Sequence, residues 1–572
     1  MSIDIETYRL KAQEAIEYVF VKEYHNSLGI PMPIVKMLLP DDANYSTGQY
    51  YITIDKTWQI HLNFGKLPIS YHEFQNEVKV LTRHEIEHYM CCPFDVITHF
   101  RMLKRIRDVY YKHFSHLGIN IKYACGAISN QAADIIVDTK NYYRHSKETL
   151  KSEIDWIKIG ANISACPRHC KLMFLTKEAI WKEDLGINET DPEFLKIVHQ
   201  LADSFTKNGI EDKSSFLDKV EEYAEIFFKL YVEDQKNPQQ SSQQGSQQQN
   251  GQQGSQQQSG QQGPQQQSGQ WGVGRPKDGD EHGNAFVFAD PDKVKEAIEV
   301  LAEETSVEEF IDLLAIAGII GMSDKQKGVL WFNVQSANII PIVEFSNTGN
   351  KSSYTYPSVW RIGDPIEELD LMLTYMTSPR LIPGMTTKKW EYVSNDDNGT
   401  ESKQMDLLLV VDTSGSMGSA MKESANMHQA VLASYGILSY FESTKSKVAF
   451  IGFSDKIDAY VDWSDKYDDV RERLLTNGHG GTKFPISRIK STLDVRSRDL
   501  VTVLITDGDL GNINESVSYF RDYLNDDNKL YIFLLGGSKS LHSYEPLKNI
   551  GAKIYNANNA NEFCDMVLTD ME

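Results

Sequence analysis

Four short runs in the last third of the chain are apolar without interruption: LLLVV (407–411), VAFIGF (448–453), VTVLIT (501–506) and LYIFLL (530–535). Runs of that length, rich in β-branched and aromatic residues, predict strands buried on both faces, as in a parallel sheet. Stretches of helical period separate them, for example SAMKESANMHQAVLASYGILSYF (419–441). The alternation predicts an α/β domain over 405–572, doubly wound and Rossmann-like, with helices on both faces of its sheet. The first part of the chain is patterned differently. LTRHEIEHYM (81–90) and AISNQAADIIVDTKNY (127–142) place their polar residues three or four apart, which predicts a mainly α domain over 1–237.

Between these regions, residues 238–270 are almost entirely Gln, Ser and Gly. Such a stretch has nothing apolar to offset its ordering entropy and predicts a disordered tether between two domains. Residues 271–404 read as a connecting region. Within it KVKEAIEVLAEETSVEEFIDLLAIAG (293–318) has helical period, GVLWFNVQSANIIPIVEF (328–345) looks extended, and SPRLIPGMTTKKWEYV (378–393) suggests an arm on the C-terminal domain.

Composition narrows the function. The 572 residues, 41% hydrophobic, are enough for several cores. A formal net charge of −22 with no basic stripe argues against a nucleic-acid partner. No apolar run approaches the ~20 residues that span a bilayer, and MSIDIETYRL lacks the basic-then-apolar order of a signal peptide, so a soluble cytoplasmic protein is expected. Six scattered cysteines do not make a disulfide framework. Cys166, His169 and Cys170 in ACPRHC lack a second Cys/His pair at zinc-finger spacing.

Two sets of residues carry chemistry. Directly behind the first C-terminal strand, DTSGS supplies Asp412, Ser414 and Ser416, hard oxygen donors for a small divalent cation. The glycine-rich GGTKF adds Thr482, and Asp507 stands at the end of VTVLIT. Ligands of open α/β sheets collect beyond the carboxyl ends of the strands, so three segments far apart in sequence can converge. Asp509 adds charge nearby but is not taken as a ligand.

The second set is HEIEH. His84 and His88, at i and i+4, face one side of a helix and can share a zinc ion. Helical geometry does not choose between the two glutamates, because Glu85 and Glu87 each lie about 80° from the midpoint of the histidine pair at 100° per residue. Asn130, Asp134 and Asp138 recur every fourth residue on a second helix, among Ala132, Ala133, Ile135, Ile136 and Val137. The apolar flank predicts burial, and a buried carboxylate needs a partner. His99, His113 and His116 are the alternatives for a third ligand.

The C-terminal segments resemble a von Willebrand factor A (VWA) domain with a metal-ion-dependent adhesion site. The resemblance implies Mg2+ held by Ser414, Ser416 and Thr482, with Asp412 and Asp507 acting largely through water and a partner's carboxylate completing the shell. HEIEH is similar to zinc peptidases, which implies a zincin-like domain with Glu85 as the catalytic base. Cys91 and Phe94, where metzincins carry Gly and His, exclude that class. The second helix is similar to the gluzincin pattern, which implies Asp134 as third zinc ligand and Asp138 as the carboxylate orienting a ligand histidine. Together the motifs resemble bacterial and archaeal metallopeptidase-like proteins with a VWA-like domain, whose genes commonly accompany MoxR-type AAA+ ATPases. In that family asparagine often stands where this chain has Asp138. Two functions follow as expectations. One is a zinc-dependent peptidase acting on protein or peptide, whose A domain recruits an AAA+ ATPase through Mg2+. The other is a non-enzymatic adaptor of such an ATPase with a structural N-terminal metal.

Overall fold

The computed structural model describes residues 5–41, 50–54, 59–64, 70–159, 163–236, 291–319, 321–337, 354–360, 388–393, 405–496, 499–508, 510, 512–526, 528–536 and 541–557. The chain divides into two compact units, Met1–Asp324 and Lys325–Glu572.

The first unit is helix-rich. A small sheet of β1 (Ile34–Met37), β2 (Tyr50–Ile54) and β3 (Gln59–Phe64) has the order β1-β3-β2, with β1 parallel and β2 antiparallel to β3. Its buried Ile60 and Leu62 share a core with Ala12, Ala15 and Ile16 of α1 (Ile5–Glu17) and Phe74, Val78 and Ile86 of α2 (Tyr71–Met90). Helix α2 starts where its sequence says it should. Ser70 accepts from the Glu73 amide and the Glu73 carboxylate accepts from the Ser70 amide, which satisfies two donors the first turn would leave unpaired. Opposite the sheet, α2 packs on α4 (Ile121–Ile159). Helix α4 is two helices joined at His145, whose φ of −137° and ψ of 48° are not helical. Helices α3 (Val96–Val109), α5 (Arg168–Trp181), α6 (Pro192–Thr206) and α7 (Phe216–Lys236) complete the bundle around α4.

The Gln/Ser/Gly stretch lies outside the described residues, but its flanks are informative. Helix α7 before it and helices α8 (Pro291–Glu303) and α9 (Val307–Ile316) after it all belong to the first unit. The expected tether therefore does not mark the boundary between the units, which falls at 324/325. The helical expectation for 293–318 agrees with α8 and α9, which pack on α3, burying Val307, Phe310, Leu313 and Leu314. Arg107 reaches Glu309 at 3.2 Å and Asp312 at 2.9 Å, and Arg101 reaches Glu304 at 3.1 Å.

The second unit holds a six-stranded sheet of order β11-β10-β9-β6-β7-β8. Its strands are β6 (Asp406–Asp412), β7 (Val448–Phe453), β8 (Ile457–Ser464), β9 (Leu500–Thr506), β10 (Lys529–Leu535) and β11 (Lys553–Ala557). All neighbours are parallel except the edge strand β8, which runs antiparallel to β7. Every residue of β6, β7 and β9 is buried, as the uninterrupted apolar runs predict. One face packs against α13 (Ile486–Leu493), α14 (Val517–Asn525) and α15 (Leu541–Lys548) through Ile489, Phe520 and Tyr544. Helix α11 (Asn426–Ser443) also packs on β6, and α12 (Tyr467–Leu474) packs on β7 and β8. Because β6 pairs with β7 on one side and with β9 on the other, strand order reverses there, and the ends of β6 and β9 are where open α/β sheets bind ligands.

One expectation is corrected. Residues 328–337, expected to be extended, lie in helix α10 (Asp324–Ala337), where Lys327, Gly328, Trp331, Phe332 and Ser336 are the buried face. Trp331 and Phe332 pack against His428, and Phe332 against Tyr435. A short apolar run does not distinguish a strand from one buried helix face, and here the helix partner decided. A two-stranded antiparallel sheet of β4 (Tyr354–Val359) and β5 (Lys388–Val393) also belongs to this unit. The rest of the expected arm at 378–387 lies outside the described residues.

Docking of α8 and α9 on α3 predicts that the first unit survives a break in the chain before it. With a site-specific protease sequence inserted between Pro238 and Gln270, the two halves should still elute together after cleavage. Arg101→Ala with Arg107→Ala should weaken that association by about 1 kcal/mol per pair, since the carboxylate partners are partly exposed. Separation of the parent halves on size exclusion would contradict the docking.

Candidate metal centres

Buried on the α4 side of α2, the imidazoles of His84 and His88 stand edge to face with their Nε2 atoms 3.1 Å apart. Asp134 Oδ1 lies 3.2 Å from His88 Nε2 and 3.5 Å from His84 Nε2. Each ring is fixed from behind. His84 Nδ1 donates to Asp138 Oδ1 at 2.6 Å, and His88 Nδ1 donates to the Cys92 carbonyl at 2.9 Å. With the Nδ1 protons committed, both Nε2 lone pairs point at each other and at a carboxylate oxygen. That arrangement is repulsive unless a cation or a proton sits among them. Asp134 Oδ1 is itself buried without a geometrically satisfied hydrogen bond, while Oδ2 accepts from Asn130 Nδ2 at 3.1 Å. Two neutral imidazoles and one carboxylate are a donor set that suits zinc and leaves a coordination position open. Among the described residues His84, His88 and Asp134 are the group of this kind that could hold a metal ion.

The electrostatics of the metal-free centre fit that reading. Burial pulls the His88 pKa down, but its contact with Asp134, the nearby Glu85 charge and the Cys92 carbonyl outweigh burial and raise it to about 9. Asp138 is held well below the carboxylate range, because Lys177 and His84 overcome the opposing effect of burial. Lys177 Nζ donates to Asp138 Oδ2 at 2.9 Å. Asp134 is likewise lowered against burial by its two histidines.

Two glutamates flank the histidine pair symmetrically in sequence, and their surroundings separate them. Glu87 is completely buried and bound on all sides: Oε1 accepts from Tyr24 Oη at 2.8 Å and Arg144 Nη1 at 3.0 Å, and Oε2 faces Lys140 Nζ at 2.8 Å. Its charge holds the segment after α1 and helix α4 to α2. Glu85, 5% exposed, lies near His88, and its charge raises the His88 pKa.

His99, buried on α3, and His113 and His116, just beyond it, do not join the group. His169 is not grouped with Cys166 and Cys170 as a metal set either. Its Nδ1 donates to Asp234 Oδ2 at 2.8 Å, and its ring packs edge-on to Phe227 and Tyr231.

In the second unit the sequence-predicted residues meet at the strand-order reversal. Asp412 closes β6, with Oδ1 accepting from the Ser414 amide at 2.8 Å and Oδ2 from Thr506 Oγ1 at 2.6 Å. Burial raises the Asp412 pKa, an effect these hydrogen bonds oppose. Ser414 Oγ lies 3.1 Å from Ser416 Oγ, which donates to Asp507 Oδ1 at 3.0 Å. Asp507 Oδ2 accepts from Asn426 Nδ2 at 3.1 Å. The loop bearing Thr482 is joined to the same place through its backbone, because the Gly415 amide donates to the Gly480 carbonyl at 3.3 Å. Thr482 itself is half-buried, and Asp509 lies outside the described residues. Asn426 and Thr506 were not anticipated; Thr506 closes β9 directly before Asp507, and Asn426 opens helix α11, where a side-chain amide in the first turn was the available signal. Helix α10 touches both loops. A methyl placed on Gly328 would lie 2.7 Å from Met421 Cε and 3.3 Å from Leu475 Cδ1.

Neither protein-family models nor curated proteins gave a match to this chain. The functional reading therefore rests on the residues and their geometry.

Two outcomes follow from the geometry. The full chain should take up one divalent metal ion per molecule in its N-terminal centre. His84→Ala with His88→Ala should abolish that uptake, as measured by elemental analysis. Because its contact with Asp134 and the Glu85 charge raise the His88 pKa against burial, His88 should carry a proton at pH 7 in the metal-free protein, so metal binding there should release about one proton. Calorimetry in buffers of different ionisation enthalpy reads that proton. At the second centre, a Cβ on Gly478 would fall 2.4 Å from Asp458 Oδ2 and 2.5 Å from the Thr413 carbonyl. Gly478→Ala should cost ~1–3 kcal/mol by overpacking and weaken divalent-cation binding there, while the sheet's circular dichroism is retained. An unchanged Mn2+ affinity would show that this loop does not shape the site.

Proposed function

We propose that the N-terminal centre is a zinc-dependent peptidase-like site and that the C-terminal centre is a Mg2+-dependent adhesion site of VWA type, which recruits a protein partner. The observation that carries the first half is the convergence of His84 Nε2, His88 Nε2 and Asp134 Oδ1 on one point, with Glu85 on the same helical turn. A zinc ion bound there would supply Lewis acidity and a water of lowered pKa. The chain's own contribution is orientation and proton handling. Asp138 and the Cys92 carbonyl hold the two imidazoles as Nδ1–H tautomers, and Glu85 takes a proton from the attacking water and returns it to the leaving amine.

The second half is supported by the clustering of Asp412, Ser414, Ser416 and Asp507 at the strand-order reversal. Oxygen donors without histidine or thiolate suit Mg2+. With Ser416 exposed and Asp507 half-buried, an acidic side chain of a partner can reach the ion, and a AAA+ ATPase of the MoxR type is the partner the motif combination suggests. No described helix is long and apolar enough to cross a membrane.

A second reading is favoured by burial. His84, Glu85, His88 and Asp134 are 5%, 5%, 2% and 8% exposed, which also suits a metal that serves structure in an adaptor of the ATPase.

One variant separates the readings. Glu85→Gln keeps the shape of the side chain and removes the base, so a peptidase should retain zinc and partner binding and lose about 10²- to 10⁴-fold in cleavage rate. Equal performance of parent and Glu85→Gln in every assay would leave the adaptor. Asp412→Ala should abolish Mg2+-dependent recovery of the partner in a pull-down while leaving zinc content unchanged. Recovery insensitive both to chelator and to this substitution would remove the adhesion-site proposal.

A further inference from the structure

Lysine is among the residues least often buried, and Lys177 on α5 is 2% exposed in the core of the first unit. Its ammonium stands 5.3 Å from the Phe174 ring centre and 5.9 Å from that of Trp181, where water cannot solvate it. Two carboxylates replace that water: Asp138 Oδ2 at 2.9 Å and Glu153 Oε1 in direct contact. Asp138 and Glu153 both belong to α4, but to the two arms that meet at His145. The helix thus folds back on itself, and Lys177 is the cation that binds one carboxylate from each arm.

The same contact reaches the metal centre. A carboxylate free to turn about its Cβ–Cγ bond offers either oxygen to a neighbour. With Oδ2 occupied by Lys177, Asp138 has Oδ1 left for His84 Nδ1, and the carboxylate plane is set from the far side. We propose that Lys177 is a positioning residue for the metal centre, fixing Asp138 and through it the tautomer and aim of His84, with Glu153 tying that alignment to the closed bend of α4. This rests on the reading of His84, His88 and Asp134 as a metal site.

The proposal differs in sign from simple electrostatics. A buried ammonium repels a divalent cation, so charge alone predicts that removing Lys177 tightens metal binding. Positioning predicts the reverse, because loss of a group that orients a ligand histidine weakens metal binding by roughly 10- to 100-fold.

The test is the Zn2+ affinity of the full chain, measured against a competing chelator, with the Co2+ absorption spectrum as a second readout of ligand geometry. Lys177→Met should bind Zn2+ about 10- to 100-fold more weakly and shift the Co2+ spectrum. If Lys177→Met alone does not fold, Lys177→Met with Glu153→Gln decides, since it removes one charge of each sign. That double variant should also bind at least ~10-fold more weakly, because Asp138 Oδ2 still lacks its partner. Glu153→Gln alone keeps an acceptor for Lys177 and should stay near the parent affinity. Equal or tighter binding in the Lys177 variants, with the Co2+ spectrum unchanged, overturns the positioning role and leaves the metal site standing. A parent protein that takes up no metal overturns the site and the role together.

Discussion

A charge removed from water must be balanced where it lies, and α2 imposes that requirement five times in six residues. Arg83, His84, Glu85, Glu87 and His88 are all buried. Arg83 is matched by Glu23 and Glu148, Glu87 by Tyr24, Lys140 and Arg144, His84 by Asp138, and His88 by a backbone carbonyl. These partners come from the segment after α1 and from both arms of α4, so the packing of three elements on α2 is also its neutralisation. Removing one partner would strand a buried charge, which costs far more than an exposed pair contributes. His84, His88 and Asp134, the group that could hold a metal ion, sit within this frame and inherit its rigidity.

The second unit solves a different problem. Its oxygen cluster stands at the ends of two central parallel strands, where chain direction and strand order bring loops together. Shape there comes from short hydrogen bonds between side chains and backbone, and from close approach of Gly478 and Gly480 to the β6 and β7 ends. The exposed Ser416 hydroxyl and the partly exposed Asp507 carboxylate leave it open to solvent. One site is thus enclosed and held by charge pairs; the other is open and held by loop geometry.

Much of this was legible in the residues. Uninterrupted apolar runs become fully buried central strands, and the four-residue spacings of HEIEH and SNQAADIIVD bring His84, His88 and Asp134 together, as expected. The motif residues of the second site, Asp412, Ser414, Ser416 and Asp507, also meet in space, linked by direct hydrogen bonds. Other features depend on contacts that no local pattern encodes. Glu85 and Glu87 are equivalent on a helical wheel, and the wheel does not show that tertiary packing places Lys140 and Arg144 beside Glu87. Lys177 lies in an unremarkable apolar helix far from either motif. The bend at His145 carries neither proline nor glycine, and without it Glu153 could not return to Lys177. The boundary between the units was misplaced for a compositional reason: a Gln/Ser/Gly run looks like a domain linker, yet helices of one unit flank it on both sides.

The way the N-terminal centre is supported bears on what it can do. A structural zinc site draws its shape from the metal, usually through four protein ligands, and loses that shape when the metal leaves. Here three protein ligands converge, and the atoms that orient them are hydrogen-bonded or paired through protein groups alone: His84 through Asp138 and Lys177, His88 through Cys92, Asp134 through Asn130. The shape of the site is therefore stabilised by the fold rather than by the ion. Prior organisation of the ligands leaves more of the metal's binding free energy for affinity and less for folding, and three ligands leave a position open for water. Those two properties together weigh toward chemistry at the metal, against a burial that by itself suits a structural ion.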